Sequence, residues 1–166
     1  MSENNNTILP YDENFMRQCI QLSEESFKSG DAAFGSLITK EDLLIAKGLN
    51  DYKTKISEHA EIVALNAAHK VMGSSDLSHC TLYTSCEPCP MCSFMIREFK
   101  IKRVVFALRS KHMGGHSKWP ILQDLGLASL KPIFSDPPIV VAGFMETEAK
   151  RVMDSTPLGA YFGPES

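Results

Sequence analysis

The chain has 166 residues, 43% hydrophobic and 22% charged, which is enough to bury a core as one domain without disulfide staples. Its net charge of −3, from 17 Lys and Arg against 20 Asp and Glu, argues against nucleic acid as the main partner. No apolar run approaches the roughly 20 residues that span a bilayer, and five Cys with no basic and apolar leader favour a reducing cytoplasm over secretion.

Residues 1–10 are polar and Asn-rich and read as a frayed tail. Over 12–29, Phe15, Met16, Cys19, Ile20, Leu22 and Phe27 mark one face of an amphipathic helix that stops before Gly30. Residues 34–39 and 43–49, joined by Lys40-Glu41-Asp42, predict a hairpin. From Ser57 to about Met72 the period becomes helical. Ala60, Val63, Ala64, Ala67, Ala68 and Val71 form a stripe that Ile62, Leu65 and Met72 widen. That helix should be largely buried, with Ser57 as its cap and Gly73 as its stop. A strand over 80–84, a buried helix over 91–99, strands over 101–108 and 138–144, and a helix over 145–153 complete the chain. Alternating strands and helices imply an α/β domain whose sheet is covered on both faces. No repeat or linker divides it.

Two short segments carry the chemistry. Ser57-Glu58-His59-Ala60-Glu61 opens one helix, and Cys86-Glu87-Pro88-Cys89-Pro90-Met91-Cys92 leads into another. Pro88 suits the position just before or at a first helical turn. Cys89 and Cys92 then share one face at a helix start, where thiolate is favoured. Two converging helix N-termini would set His59, Cys89 and Cys92 around one Zn²⁺, leaving the fourth tetrahedral position to water, the catalytic zinc pattern. Glu61 is the decisive residue. Residues two apart on a regular helix face different ways, so both reach one metal only if His59 projects from an irregular first turn. Ala64 and Leu65 bury Glu61, and a buried carboxylate needs a partner such as water or substrate. Glu61 is therefore the expected proton carrier.

On His59-Ala60-Glu61, Leu82 to Cys92, and Arg103-Val104-Val105-Phe106, the chain resembles the cytidine/deoxycytidylate deaminase superfamily. Phe34-Gly35-Ser36 and Gly48-Leu49-Asn50 make it most similar to the branch of guanine deaminases, small nucleoside deaminases and tRNA adenosine deaminases. The resemblance implies a three-layer αβα sandwich with a mixed five-stranded sheet, one zinc per subunit and a homodimer. It implies a small nucleobase or nucleoside substrate, guanine-like or cytosine-like, that loses ammonia by hydrolysis. It also implies that Asn50 contacts the base, with Ala60 a further candidate contact. Segment 111–119 departs from the branch pattern and leaves the substrate open. Cys86 stands where the tRNA enzymes generally carry Leu, which leans toward a small free substrate.

Other residues are weaker candidates. Phe34 is placed to stack on a ring, although a core aromatic would look the same. Tyr161 and Phe162, between glycines in a tail over 156–166, suggest a lid. Lys100, Lys102, Arg103, Arg109, Lys111 and Lys118 read as solvated surface. His112 and His116 have metal-like spacing but no obvious partners, and Cys19 and Cys80 read as core. Two alternatives stay open. One is a tRNA-editing adenosine deaminase, which the net charge does not encourage. The other is an inert zinc site closed by Cys86, although Pro88 biases the chain before it to extended geometry and away from the helix face.

Overall fold

A computed structural model describes residues 6–163. The elements follow in chain order as α1 (Asp12–Lys28), β1 (Gly35–Lys40), β2 (Leu43–Leu49), α2 (Ala60–Met72), β3 (Thr81–Cys86), α3 (Pro90–Glu98), β4 (Arg103–Leu108), α4 (Leu125–Ala128), β5 (Ile139–Ala142) and α5 (Glu146–Asp154). The strands form one sheet in the order β2-β1-β3-β4-β5. β1 is antiparallel to β2 and β3, whereas β3, β4 and β5 run parallel.

Strand alternation sorts the side chains into two cores. Leu37, Tyr83, Val105 and Val141 face Phe15, Met16 and Cys19 of α1 and Ala149 and Met153 of α5. Ile38, Leu82, Val104 and Phe106 face Ala64, Leu65 and Ala68 of α2 and Ile96 of α3. The sheet is mixed and five-stranded with helices on both faces, as the resemblance implies.

The departures from the sequence reading are local and have physical causes. α2 starts at Ala60 rather than Ser57. Residues 51–58 instead close on themselves, with Asp51 N–H donating to Glu58 O (2.8 Å) and Thr54 Oγ1 to Asp51 Oδ1 (2.7 Å). His59 is thereby the N-cap in extended backbone, φ −66° and ψ 154°. At the other end of α2, Val71 and Met72 are exposed, so the apolar stripe outruns the buried face. Pro90, not Pro88, holds the first position of α3. Of the segment expected to fray, residues 1–5 lie outside the described residues; beyond them Arg103 Nη2 donates to Thr7 O (3.0 Å) and Leu9 N–H to Asp12 Oδ2 (2.7 Å).

Two of the cations expected in solvent are instead structural. Arg103 grips the buried Asp12 with two bonds of 2.7 and 2.6 Å, clamping the start of α1 to β4, while Tyr83 donates its hydroxyl to the same carboxylate. Arg109 pairs with Glu146. Burial pushes the Asp12 carboxyl up, yet Arg103, Leu9 N–H and the Tyr83 hydroxyl outweigh it and hold the group below the usual carboxylate range. A depressed folded pKa contributes stability above the ordinary value of 3.8 and loses it as pH falls through the folded value. We predict that Arg103→Ala, which leaves Asp12 buried and unpaired, lowers urea-unfolding stability at neutral pH by about 3–5 kcal/mol. A loss under about 1 kcal/mol, the range of exposed pairs, would show the clamp to be incidental.

Candidate active site and metal centre

His59 and Cys89 occupy equivalent places. Each is the N-cap of its helix, and each has extended backbone, with Cys89 at φ −68° and ψ 171°. In that geometry the side chain leaves the helix axis, and the two caps meet. Cys89 Sγ lies 3.5 Å and Cys92 Sγ 3.6 Å from His59 Nδ1. A tetrahedral zinc with Zn–S of ~2.3 Å and Zn–N of ~2.0–2.1 Å sets an N···S edge of about 3.6 Å, so the donor set fits zinc in type and spacing. Cys86 is outside the cluster. Among the described residues, His59, Cys89 and Cys92 are the group whose ligand atoms converge. Cys86 ends β3, and the Pro88 between it and α3 keeps it off the helix.

The protonation of the cluster is uneven. The Cys89 thiol is pulled down to about 4, first by the hydrogen bond from Cys92 and then by His59, against the effect of burial. Cys92 is pushed up as the partner that keeps the shared proton, and burial adds to this. The His59 imidazole is raised by its bond to Cys89. A cation at the centre takes the place of that proton.

Glu61 is only 5% exposed, although it is a carboxylate on an otherwise apolar face of α2. Its Oε1 accepts from Thr84 Oγ1 on β3 (3.1 Å), and its Oε2 is 3.6 Å from Cys92 Sγ. Burial raises its pKa, the charge on Cys89 raises it further, and His59 and Thr84 restrain the rise. Because His59 caps the helix and Glu61 lies within it, both address one point despite their spacing.

A cavity of about 590 Å³ opens onto these groups. Of the expected substrate contacts, Phe34, Asn50 and Tyr161 line it, and Ala60, fully buried beneath Glu61's turn, does not. Phe34 already meets the Phe162 ring edge-to-face at 5.6 Å, so the tail packs against this wall. Tyr161 remains 56% exposed at the rim. His112 and His116 join no ligand group among the described residues; His116 packs on Phe106 instead.

Three residues of the site go unnoticed in the sequence. Asp31 accepts from Asn50 Nδ2 at 2.8 Å and from the backbone N–H of Ala32 and Lys53. Burial pushes the Asp31 carboxyl up, but these donors prevail and keep it low, hence ionised. An ionised carboxylate only accepts, so the Asn50 amide orientation is fixed and its Oδ1, which has no protein partner, is the free acceptor. Glu87 is buried and collects the N–H groups of Ser110 (2.8 Å) and Ser117 (2.7 Å) and the Ser117 hydroxyl (2.8 Å). Ser110 itself lines the cavity. Only the Cys-Glu-Pro-Cys context hinted at Glu87, and nothing hinted at Asp31 or Ser110.

Comparison with known proteins follows the same outline. Residues 10–108 match the model of the cytidine and deoxycytidylate deaminase zinc-binding region. A guanine deaminase of Bacillus subtilis is 40% identical over 98 residues, covering 57% of this chain and 63% of that protein, so the chain spans less than two thirds of that relative. Its X-ray structure superposes with a TM-score of 0.58 at 38% identity, over 60% of this chain and 66% of that one. A tRNA-specific adenosine deaminase of Aquifex aeolicus is 32% identical over 115 residues, 68% of this chain and 76% of that protein. A guanine deaminase structure from Nitrosomonas europaea, at 24% identity, shares the fold over 92% of this chain and 88% of its own, with a TM-score of 0.73.

We predict that Cys86→Ser retains one zinc per chain by elemental analysis after gel filtration, whereas Cys89→Ser and His59→Ala lose most of it. Loss of metal from Cys86→Ser would place that sulfur in the site and close it.

Proposed function

The chain belongs to the cytidine and deoxycytidylate deaminase zinc-binding family, and from that premise we propose that it hydrolytically deaminates a small amino-substituted nucleobase or nucleoside, guanine-like in the first instance. The observation that carries the reading is Glu61, a buried carboxylate held beside the metal donors by the Thr84 hydroxyl, with His59 of the donor set as the positive charge acting on it. A structural metal site gives such a group no purpose, and its burial would simply be a cost.

Bound zinc supplies the Lewis-acid chemistry that makes water a nucleophile near neutral pH. The protein residues manage the protons. Glu61 takes one from the attacking water and delivers it to the ring nitrogen beside the amino-bearing carbon. It then relays the second to the departing amine. The ring carbon gains an oxygen and loses the amino group, and the products are a carbonyl and ammonia. A carboxyl whose pKa is raised by burial suits this shuttle, since proton transfer is best served by a pKa nearer the working pH.

The wall supports an uncharged ring. Phe34, Tyr52, Met113, Leu158 and Phe162 supply apolar surface, and among the described residues no Lys or Arg lines the cavity to meet a phosphate. That favours a free base or nucleoside over a nucleotide or a tRNA loop, and the guanine deaminases among the relatives favour a purine. Asn50 and Tyr161 are proposed as substrate contacts, with the tail over the cavity as part of its wall. The five thiols are all free, which suits a reducing cytoplasm. No helix among the described residues is long and apolar enough to cross a membrane. A homodimer through α3 belongs to the same proposal. Met91 and Phe94 stand 38% and 43% exposed beside the ligand Cys92, and a one-chain mass by light scattering would exclude it.

The test is ammonia release from a panel of guanine, 2,6-diaminopurine, adenosine, cytosine, cytidine and amino-triazines by the zinc-loaded protein. At least one member is turned over, and Glu61→Ala keeps its zinc while turnover falls by about 10²–10⁴-fold. Near-wild-type rates in that variant would remove Glu61 from the mechanism. Activity confined to a tRNA anticodon loop would move the chain to the editing reading.

A further inference from the structure

Buried hydroxyls in this protein are nearly all committed. Ser23 donates to Ile20 O (2.6 Å), Ser26 to Ala32 O (2.7 Å), Ser36 to Tyr83 O (2.7 Å) and Ser93 to Pro88 O (3.2 Å), while Ser85 accepts from Gly35 N–H (3.1 Å). Ser110 is different. It is 1% exposed, and its Oγ is buried with no hydrogen-bond partner. Thr39 shares that condition, but it lies on β1 and is not part of the cavity wall, whereas Ser110 is. A buried polar atom without a partner costs about 1–3 kcal/mol, so one that persists at a cavity wall calls for an occupant that completes it.

The backbone of Ser110 is, in contrast, fully engaged. Its N–H donates to Glu87 Oε2 (2.8 Å), and its carbonyl accepts from Gly114 N–H (2.7 Å). The buried Glu87 carboxylate thus fixes where the Ser110 side chain begins and leaves the hydroxyl alone uncommitted. Asn50 presents the same pattern from another wall of the same cavity, with Nδ2 bound to Asp31 and Oδ1 free. The two groups have different chemistry. Asn50 Oδ1 only accepts, while the Ser110 hydroxyl both donates and accepts.

Resting on the deaminase reading, we propose that Ser110 Oγ is a substrate-binding group that hydrogen-bonds a polar atom of the ring, and that with Asn50 it selects the substrate. The ring turned over here carries an N–H or N–H₂ donor toward Asn50 and a second polar edge atom, a carbonyl oxygen or ring nitrogen, toward Ser110. A ring lacking either atom leaves a buried protein group unpaired and is rejected, a penalty larger than that for a missing apolar contact. Glu87 acts through Ser110 as a positioning residue.

The experiment compares Ser110→Ala with wild type on the panel member that the zinc-loaded wild type turns over fastest. Metal content and thermal midpoint are measured in parallel. The expected result is a fall in kcat/KM of about 10-fold or more, with zinc unchanged and a midpoint equal to or above wild type, because the substitution removes an unpaired hydroxyl rather than a bond. Ser110→Thr, which keeps the hydroxyl, restores discrimination between that substrate and the analogue lacking the polar atom. A kcat/KM within twofold of wild type for Ser110→Ala overturns the inference while leaving the deaminase reading intact. A midpoint lowered by several degrees also overturns it, since the hydroxyl would then be structural. A wild type that releases no ammonia from any panel member overturns the deaminase reading and this inference together.

Discussion

The site depends on one constraint: two helices that both begin with a ligand in extended backbone, set so that their first residues touch. His59 and Cys89 are N-caps with nearly the same φ and ψ, and their ligand atoms are 3.5 Å apart. An N-cap side chain projects past the helix end, where N–H groups and the dipole favour a negative partner. Cys89 is therefore well placed to ionise, and Cys92, one turn on, closes the triangle. The helices meet because the sheet directs them there. α2 packs across β1 and β2, α3 follows β3, and the C-terminal end of β3 brings Cys86 and the next residue, Glu87, to the cavity that the ligands line.

Around that point the protein segregates its charges. Glu61 is placed on a buried face and steadied by Thr84, Asp31 is tied to Asn50, and Glu87 is surrounded by N–H groups. The two carboxylates away from the metal donors are satisfied by hydrogen bonds and serve as anchors. Glu61, with one hydroxyl donor and a thiol, keeps an oxygen beside the cluster and is the one able to exchange protons with a neighbour. Burying Glu61 and Glu87 at one cavity, with the half-buried Asp31 nearby in the chain's own turn, is tolerable only because each has its own donors. Similar residue types thus take different roles according to what surrounds them.

The convergence of the donor set was legible because its information is local. His59, Glu61, Cys89 and Cys92 lie within two short segments, and proline and helix-start chemistry dictate how those segments fold. The sheet strands and the main helices followed from periodicity for the same reason, with errors at boundaries where turns such as 51–58 close on themselves. What escaped the sequence reading is long-range. Arg103 looked like a surface cation because its partner Asp12 lies 91 residues away. Asp31 meets Asn50 across 19 residues, and Glu87 meets Ser110 across 23. Nothing in the composition around Ser110 marks it as special. What sets it apart, an unpartnered hydroxyl at the cavity wall with its backbone held by Glu87, appears only once the chain is folded.

The segment that departs from the branch pattern, 111–119, is a built part of this architecture. A Cβ at Gly114 would come within 2.0 Å of Glu87 Oε1, and one at Gly115 within 2.0 Å of Ser93 Oγ, so both glycines let the chain lie directly against the motif helix. That close approach lets Glu87 collect the N–H groups of Ser110, His116 and Ser117 with a single side chain. The family match stops at residue 108, just where this segment begins. His59, Glu61, Cys89 and Cys92 all lie before that point. Five of the residues that line the cavity, Ser110, Met113, Leu158, Tyr161 and Phe162, lie after it. The three donor side chains and the buried Glu61 come from two short local segments, whereas much of the cavity wall comes from chain beyond residue 108.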